Sequence, residues 1–202
     1  EFIKNRSKGF AYSPIIASGQ NNNVLHYTQN NSKCQSGDLI LIDVGAEYGN
    51  YASDMTRTIP VSGKFTPRQR RVYDAVRKIG EESMKLLVPG TLIKEYNQEV
   101  GKIMSSALID LGLLDKKDLN IKDKRNPTYK KYYMHGTSHH LGLDTHDYGL
   151  IEEPIEPNMV LSVEPGIYIP EESFGIRIEE DIVVQEKGGP INLTKNIPKD
   201  TD

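Results

Sequence analysis

The chain of 202 residues carries a formal net charge of -3 and 37% hydrophobic residues, enough for one domain with a well-buried core and too little for two comfortable ones. That charge gives no general reason to expect nucleic acid or a membrane surface as partner, and no run approaches the roughly 18 apolar residues that a bilayer span needs. The single cysteine, Cys34, excludes an internal disulfide framework and fits a reducing, cytoplasmic setting. The sequence opens on Glu1 without an initiator Met and reads as a fragment, so the absence of a targeting segment carries little weight.

Residues 1–10 read as the end of a helix lying outside the chain, residues 12–18 as a short strand, and residues 19–23 as a polar loop. His26 follows among Val24, Leu25 and Tyr27, where a lone histidine is more often a satisfied core residue than a catalyst. Residues 38–60 read as a hairpin: DLILIDVGAEY, a turn at Tyr48 and Gly49, then NYASDMTRTIPV. A two-residue loop there sets Glu47 against Asn50 and, further out, Asp43 against Asp54. Directly opposed side chains start about 5 Å apart, and two like charges at that distance repel by about 3 kcal/mol at an effective dielectric of about 20. A shared proton is one way to offset this; a divalent cation between the carboxylates is the simpler one.

Thr66, Pro67 and Gln69 supply an N-cap, a proline at the first helical position and a capping-box partner. Val72, Val76, Ile79 and Leu86 keep helical spacing until Pro89 and Gly90 stop it. A second helix begins near Thr91, with a stripe of Tyr96, Val100, Ile103, Ala107 and Leu111, and ends at Gly112. The Lys-rich residues 115–131 read as a solvated loop, not a nucleic-acid patch, because their basic residues are interleaved with Asp and backed by no periodic aromatic face.

Four of the five histidines, His135, His139, His140 and His146, then fall in HGTSHHLGLDTHD. Imidazole is the commonest metal ligand and the usual proton carrier near neutral pH. His135 and His139 stand four apart as in a zincin helix, but Gly136, Thr137 and Ser138 are poor helix formers and no Glu follows the first His. Extended or turning chain fits better. If His139 is a ligand its partners come from elsewhere, and they are carboxylates, since one cysteine cannot build a thiolate site.

Residues 159–184 repeat the pattern of the first hairpin: MVLSVEPGIYIP runs up, Glu171 and Glu172 turn, and SFGIRIEEDIVV returns. Counting outward, Gly166 faces Arg177 and Glu164 faces Glu179, a second opposed pair of carboxylates. Alternation puts Glu180 with Ile176, Ile178 and Ile182 and puts Glu179 with Arg177 and Asp181, which selects Glu179. The fold class is therefore α+β, helices with a mixed or antiparallel sheet, and two similar hairpins hint at two related halves. Asp43, Asp54, Glu164 and Glu179 bring four negative charges and His139 a neutral nitrogen, a set that two divalent cations balance. Oxygen-rich ligation with one imidazole suits Mn, with Zn, Co and Fe as alternatives, because ligand type alone does not fix the metal. Two such ions about 3.5–4 Å apart activate water and polarise an acyl oxygen, the apparatus of hydrolysis.

LIDVGAEYGNYASDMTRT, HGTSHHLGLDTHD, SVEPGIYIP and GIRIEEDIVV together resemble the successive motifs of the pita-bread metallopeptidases, and within them the Xaa-Pro aminopeptidase (aminopeptidase P) branch. The likeness runs over residues 13–184. It implies the pita-bread fold with two pseudo-symmetric halves, and a di-metal site held by Asp43, Asp54, His139, Glu164 and Glu179, with Asp54 and Glu179 bridging. It also implies that His26, His135 and His146 surround the substrate, that Glu164 assists the nucleophilic water, and that Arg177 supports the metal-binding carboxylates. On this resemblance residues 1–202 are a C-terminal catalytic domain lacking the family's N-terminal creatinase-like domain and the first part of the catalytic domain. The implied activity removes an N-terminal residue from peptides with proline second. That makes the partner such a peptide, with a homo-oligomer of the full-length protein left open. The alternatives are an Xaa-Pro dipeptidase (prolidase) and a non-catalytic pita-bread peptide binder. The binder should have lost ligands, whereas all five positions here are filled. Methionine aminopeptidase fits less well, since its likeness would stop at the ligands.

Overall fold

Two long hairpins, each broken near its middle, organise the computed structural model, which describes residues 1–2, 4–117, 127–149 and 152–199. The first comprises β3 (Leu39–Asp43), β4 (Ala46–Tyr48), β5 (Tyr51–Ala52) and β6 (Thr56–Pro60). Its register is continuous: Asp43 opposes Thr56, Glu47 opposes Ala52, and Val44 N donates to Met55 O across the break at 3.0 Å. Gly49 and Asn50 make the turn with φ of 60° and 65°, the two left-handed residues of a type I′ loop. The turn expected at Tyr48 and Gly49 thus lies one residue later, and Asp43 opposes Thr56 instead of Asp54. Asparagine tolerates the left-handed region, and Lys8 Nζ donates to its side-chain oxygen. The partner shift is two residues, one full side-chain period, so Asp43 and Asp54 still share a face.

The second hairpin comprises β7 (Val160–Val163), β8 (Gly166–Ile169), β9 (Phe174–Arg177) and β10 (Glu180–Val183). Gly166 opposes Arg177 and Val163 opposes Glu180, the expected register, which brings Glu164 and Glu179 abreast at the break. A 3-10 turn over Pro170–Glu172 and a left-handed Ser173, φ 58°, close the loop. Each hairpin gains an edge strand, β2 (Ile15–Ser18) on β3 and β11 (Ile191–Asn192) on β10, and every pairing is antiparallel. The described residues among 1–10 do not end a helix: residues 4–6 turn and Gly9–Phe10 form β1, which pairs with β4.

Helix α1 (Pro67–Met84) begins with the full capping box of Thr66 and Gln69 and buries Val72, Val76 and Ile79. Helix α2 (Ile93–Asp110) buries Tyr96, Val100, Met104 and Leu108, so its apolar stripe is rotated from the expected one and Ile103 and Ala107 lie at its margin. Both helices pack with β8, β9, β7 and β10 in one large core, while Ile15, Ala17, Tyr27 and Leu41 form a small second cluster under the first hairpin. Residues 135–147 are turning chain, touching β7 through a bridge from His140 to Leu161. Of the Lys-rich residues 115–131, residues 118–126 lie outside the described residues, and Lys117 pairs with Asp115 at the surface at 3.1 Å. Among the described residues no helix is long and apolar enough to cross a membrane.

Candidate metal centre

The two breaks face each other. At the first, β3 ends on Asp43 and β6 begins after Asp54; at the second, Glu164 follows β7 and Glu179 precedes β10. Glu179 N leaves its own hairpin to donate to Thr56 O at 3.1 Å, and Thr58 Oγ1 both donates to Arg177 O at 2.9 Å and accepts from Arg177 N at 3.2 Å. These bonds stitch β6 to the second hairpin and bring the acids into one cavity. Asp43, Asp54 and Glu179 form one trio whose oxygens lie within 4.8 Å of one another, and His139, Glu164 and Glu179 form a second trio. Glu179 belongs to both.

His139 arrives from the turning chain with its backbone held by Ser162 Oγ at 3.1 Å. Its Nδ1 lies 3.1 Å from His140 O. A carbonyl only accepts, so Nδ1 carries a proton and Nε2 is the nitrogen turned to the acids. That nitrogen faces Asp54 Oδ2 and Glu164 Oε1, each at 3.5 Å. His146 stacks on His139 with ring centroids 4.1 Å apart and forms a third trio with it and Asp54. The ring is exposed at the rim.

Arg177 orients the carboxylates from behind: Nη2 donates to Asp43 Oδ2 at 2.5 Å and Nε to Thr56 Oγ1 at 3.1 Å, and Thr56 Oγ1 in turn donates to Glu179 Oε2 at 2.7 Å. Arg177 Nη1 donates to Tyr168 Oη at 3.1 Å, and Tyr168 Oη lies 2.8 Å from His135 Nε2. Since His135 Nδ1 donates to Gly136 O at 2.7 Å, Tyr168 is the donor to Nε2. Both nitrogens of His135 are therefore engaged by protein. Gly166 leaves room for this chain, because a Cβ there would stand 2.6 Å from Tyr168 Oη. His26 is exposed, not a core residue.

Burial sets the electrostatics. It pushes Glu179 well above the usual carboxylate range, reinforced by Glu164, Asp54 and Asp43. It lifts Glu164 to about 7, although His139 and Arg177 pull the other way. Burial also raises Asp43 against the pull of Arg177, while at Asp54 it is overcome by hydrogen bonds from His139 and Tyr12, and the group falls below its ordinary value. His135 drops to about 4 through burial and the charge of Arg177, so it is neutral near pH 7. Burial alone would lower His139, but Asp54 and Glu164 carry it upward.

Tyr12, outside every motif, points its hydroxyl at Asp43 Oδ1 and, at 2.5 Å, Asp54 Oδ1. One phenol proton cannot serve both at once, and of the two the charge of Arg177 reaches Asp43 alone. Asp181 was also missed; its Oδ2 accepts from Asp54 N at 3.1 Å, and its parity with Glu179 on β10 was the signal that could have found it. Tyr168 shares parity with Glu164 and Gly166 in the same way. Two acid-rich trios that share Glu179, one of them completed by the imidazole of His139, make a donor set that fits divalent cations.

A family model described as metallopeptidase family M24 matches residues 1–186. The chain belongs to family M24. Among M24 relatives it is 46% identical to the Xaa-Pro aminopeptidase of Escherichia coli strain K12, over 98% of this chain and 47% of that protein. It is 42% identical to the Haemophilus influenzae Xaa-Pro aminopeptidase, over 99% of this chain and 49% of that one. A solved structure of zinc-substituted E. coli aminopeptidase P in complex with product superposes with a TM-score of 0.89 at 43% identity, covering 99% of this chain and 48% of that chain. The fold is accordingly the pita-bread fold, in its α+β form with antiparallel sheets. The chain spans about half the length of the curated relatives it matches.

Proposed function

We propose that this chain is the catalytic part of a metal-dependent Xaa-Pro aminopeptidase, which hydrolyses the bond between an N-terminal residue and a penultimate proline. The observation that carries this reading is the convergence of Asp43, Asp54, His139, Glu164 and Glu179 in a chain 46% identical to an Xaa-Pro aminopeptidase. Asp43, Asp54 and Glu179 would hold one divalent ion and Asp54, His139, Glu164 and Glu179 a second, so that Asp54 and Glu179 would be shared. Bound there, two such ions supply Lewis-acid polarisation of the scissile carbonyl and an acidified water. Manganese is the ion proposed, with Zn, Co and Fe as alternatives.

The chain's own groups do the rest. Arg177 and Thr56 hold Asp43 and Glu179 with their oxygens turned into the cavity. Glu164, its Oε1 towards His139, takes the proton of the attacking water at Oε2 and returns it to the departing nitrogen of proline. His146 at the rim donates to the oxyanion of the tetrahedral intermediate. His135, held by Tyr168, lines the same wall, and the exposed His26 meets the peptide at the entrance. The exposed Cys34 is what supports a cytoplasmic setting, and a homo-oligomer of the whole protein remains part of the proposal. The test offers Mn-loaded full-length protein an Xaa-Pro-Yaa tripeptide and an Xaa-Pro dipeptide. Release of Xaa from the tripeptide, abolished by chelator, is expected; cleavage of the dipeptide alone makes it a prolidase, and chelator-resistant turnover removes the metal mechanism.

A further inference from the structure

Behind the acids, on the face away from the cavity, Arg57 is buried with all five of its N–H donors engaged. Nε donates to Pro198 O at 3.0 Å, Nη1 to Thr56 O at 3.0 Å and Glu179 O at 2.7 Å, and Nη2 to Glu180 Oε1 at 3.1 Å and Ile197 O at 3.2 Å. Three segments meet on this one guanidinium: β6 just after Asp54, the residue Glu179 itself, and the C-terminal strap. Glu180 also receives Lys199 Nζ at 2.9 Å and the Thr194 hydroxyl. The strap continues the contact: β11 pairs with β10, Leu193 N donates to Asp181 O at 2.8 Å, and Tyr73 Oη donates to Lys199 O at 2.9 Å. Its apolar side chains Ile191, Leu193 and Ile197 are exposed, so polar bonds, not burial of apolar surface, hold it down.

We infer that Arg57, braced by Glu180 and the strap 191–199, is a positioning residue that sets the spacing of the two acid-bearing hairpins. The argument is geometric. Asp54 and Glu179 come from strands 123 residues apart at the Thr56–Glu179 contact, and no strand pairing joins β6 to β10. Side-chain bonds from Thr56, Thr58 and Asp181 also cross here, but beside the bond from Glu179 N to Thr56 O it is Arg57 Nη1 that ties the two backbone carbonyls at Thr56 and Glu179 together. A planar fork grips two carbonyls at a set separation, whereas a lysine ammonium, with three donors on a flexible stem, does not. The inference rests on the proposed metal site, since what the spacing controls is how well Asp54 and Glu179 reach shared ions.

The test is calorimetric titration of chelator-stripped full-length protein with Mn, for wild type, Arg57→Met, Arg57→Lys and Glu180→Gln. The control is a truncation in α2 remote from the acids, Leu108→Val or Leu108→Ala, whichever matches the loss of Tm in the metal-free state. Outer supports of metal ligands change affinity by about 10- to 100-fold. The expected result is Mn binding at least about ten-fold weaker in Arg57→Met and Arg57→Lys, with a smaller loss in Glu180→Gln and none in the control. Affinities in all three variants that stay with the Tm-matched control reduce Arg57 to an ordinary structural residue and overturn the inference. Should Arg57→Met fail to fold, Arg57→Lys and Glu180→Gln decide on the same criterion. Wild type that binds no Mn overturns the proposed function and the inference with it, a result distinct from binding that the variants leave untouched.

Discussion

The two hairpins present their acids in the same way and are supported in opposite ways. In the second, every residue of β8 and β9 is buried, and the register is held by the core between α1, α2 and the sheet. In the first, β3 alternates between buried and half-buried positions, and Ile16 and Ile59 on its outer face are 43% and 46% exposed. Its acids are steadied by polar groups from outside the hairpin: Tyr12 from the N-terminal segment and Arg177 from the other hairpin. A shared geometry for carboxylates does not require a shared source of rigidity. One hairpin is positioned by packing, the other by hydrogen bonds.

The largest effect treats both hairpins alike. Asp54→Ala and Glu179→Ala each remove an oxygen common to two of the three trios, and turnover of Xaa-Pro-Yaa should fall to background with loss of bound metal; His139→Ala behaves the same way. His146→Ala tests the rim instead: about 10²- to 10³-fold lower kcat, the usual loss for one oxyanion donor, with metal content by elemental analysis unchanged. If His146→Ala also sheds metal, its membership of the trio with Asp54 and His139 is the role that counts.

Core truncations separate the hairpins directly. Ile176→Ala in the fully buried β9 should cost about 2–5 kcal/mol by denaturant unfolding, while Ile59→Ala on the exposed face should stay within about 1 kcal/mol. Equal losses would show that the first hairpin is also packing-controlled. Neutral isosteres split the pair by sign: in chelator, Glu179→Gln should raise Tm, because burial and neighbouring acids penalise its charge. Asp54→Asn should lower it, because hydrogen bonds from His139 and Tyr12 outweigh burial and favour its charged form. Each kcal/mol corresponds to about 2–4 °C for a chain of this size.

The smallest expected effect is on pH. Glu164 and Asp181, lifted to about 7 chiefly by burial, hold protons in the folded state that the unfolded chain has released. Their contribution is complete below the ordinary carboxylate range and is lost as pH rises through 7. His135, lowered to about 4, opposes this only below its ordinary value of 6.5. The Tm of the chelated protein should therefore fall between pH 6.5 and about 8, and added Mn should reverse the fall.

What could be read from sequence follows the same division. The second hairpin's register came out right because alternation and the turn after Pro170 agree. In the first, Tyr48–Gly49 and Gly49–Asn50 both look like turns, and the choice depends on Asn50 taking φ 65° beside Lys8, a contact from 42 residues away. The error left the shared face intact, so the five proposed ligands still converge on one cavity. Tyr12 and Arg57 were not legible, since apart from the neighbouring Thr56 carbonyl their partners lie 31 to 141 residues distant and no local pattern points to them. The N-terminal helix reading failed for the same reason: Gly9–Phe10 is a strand only because β4 is there to pair with it.

That distance in sequence also orders the assembly of the protein. The capped α1, and each hairpin on its own, are made of near neighbours, while the bonds that close the cavity, Thr56 to Glu179 and Asp43 to Arg177, span 123 and 134 residues. Contacts of that separation form late, after shorter loops have closed. Until the hairpins dock, the chain offers only two isolated pairs of carboxylates, Asp43 with Asp54 and Glu164 with Glu179. The five-donor cavity is therefore a product of the last folding step, and an ion that prefers it rewards completion of the fold, not its nucleation.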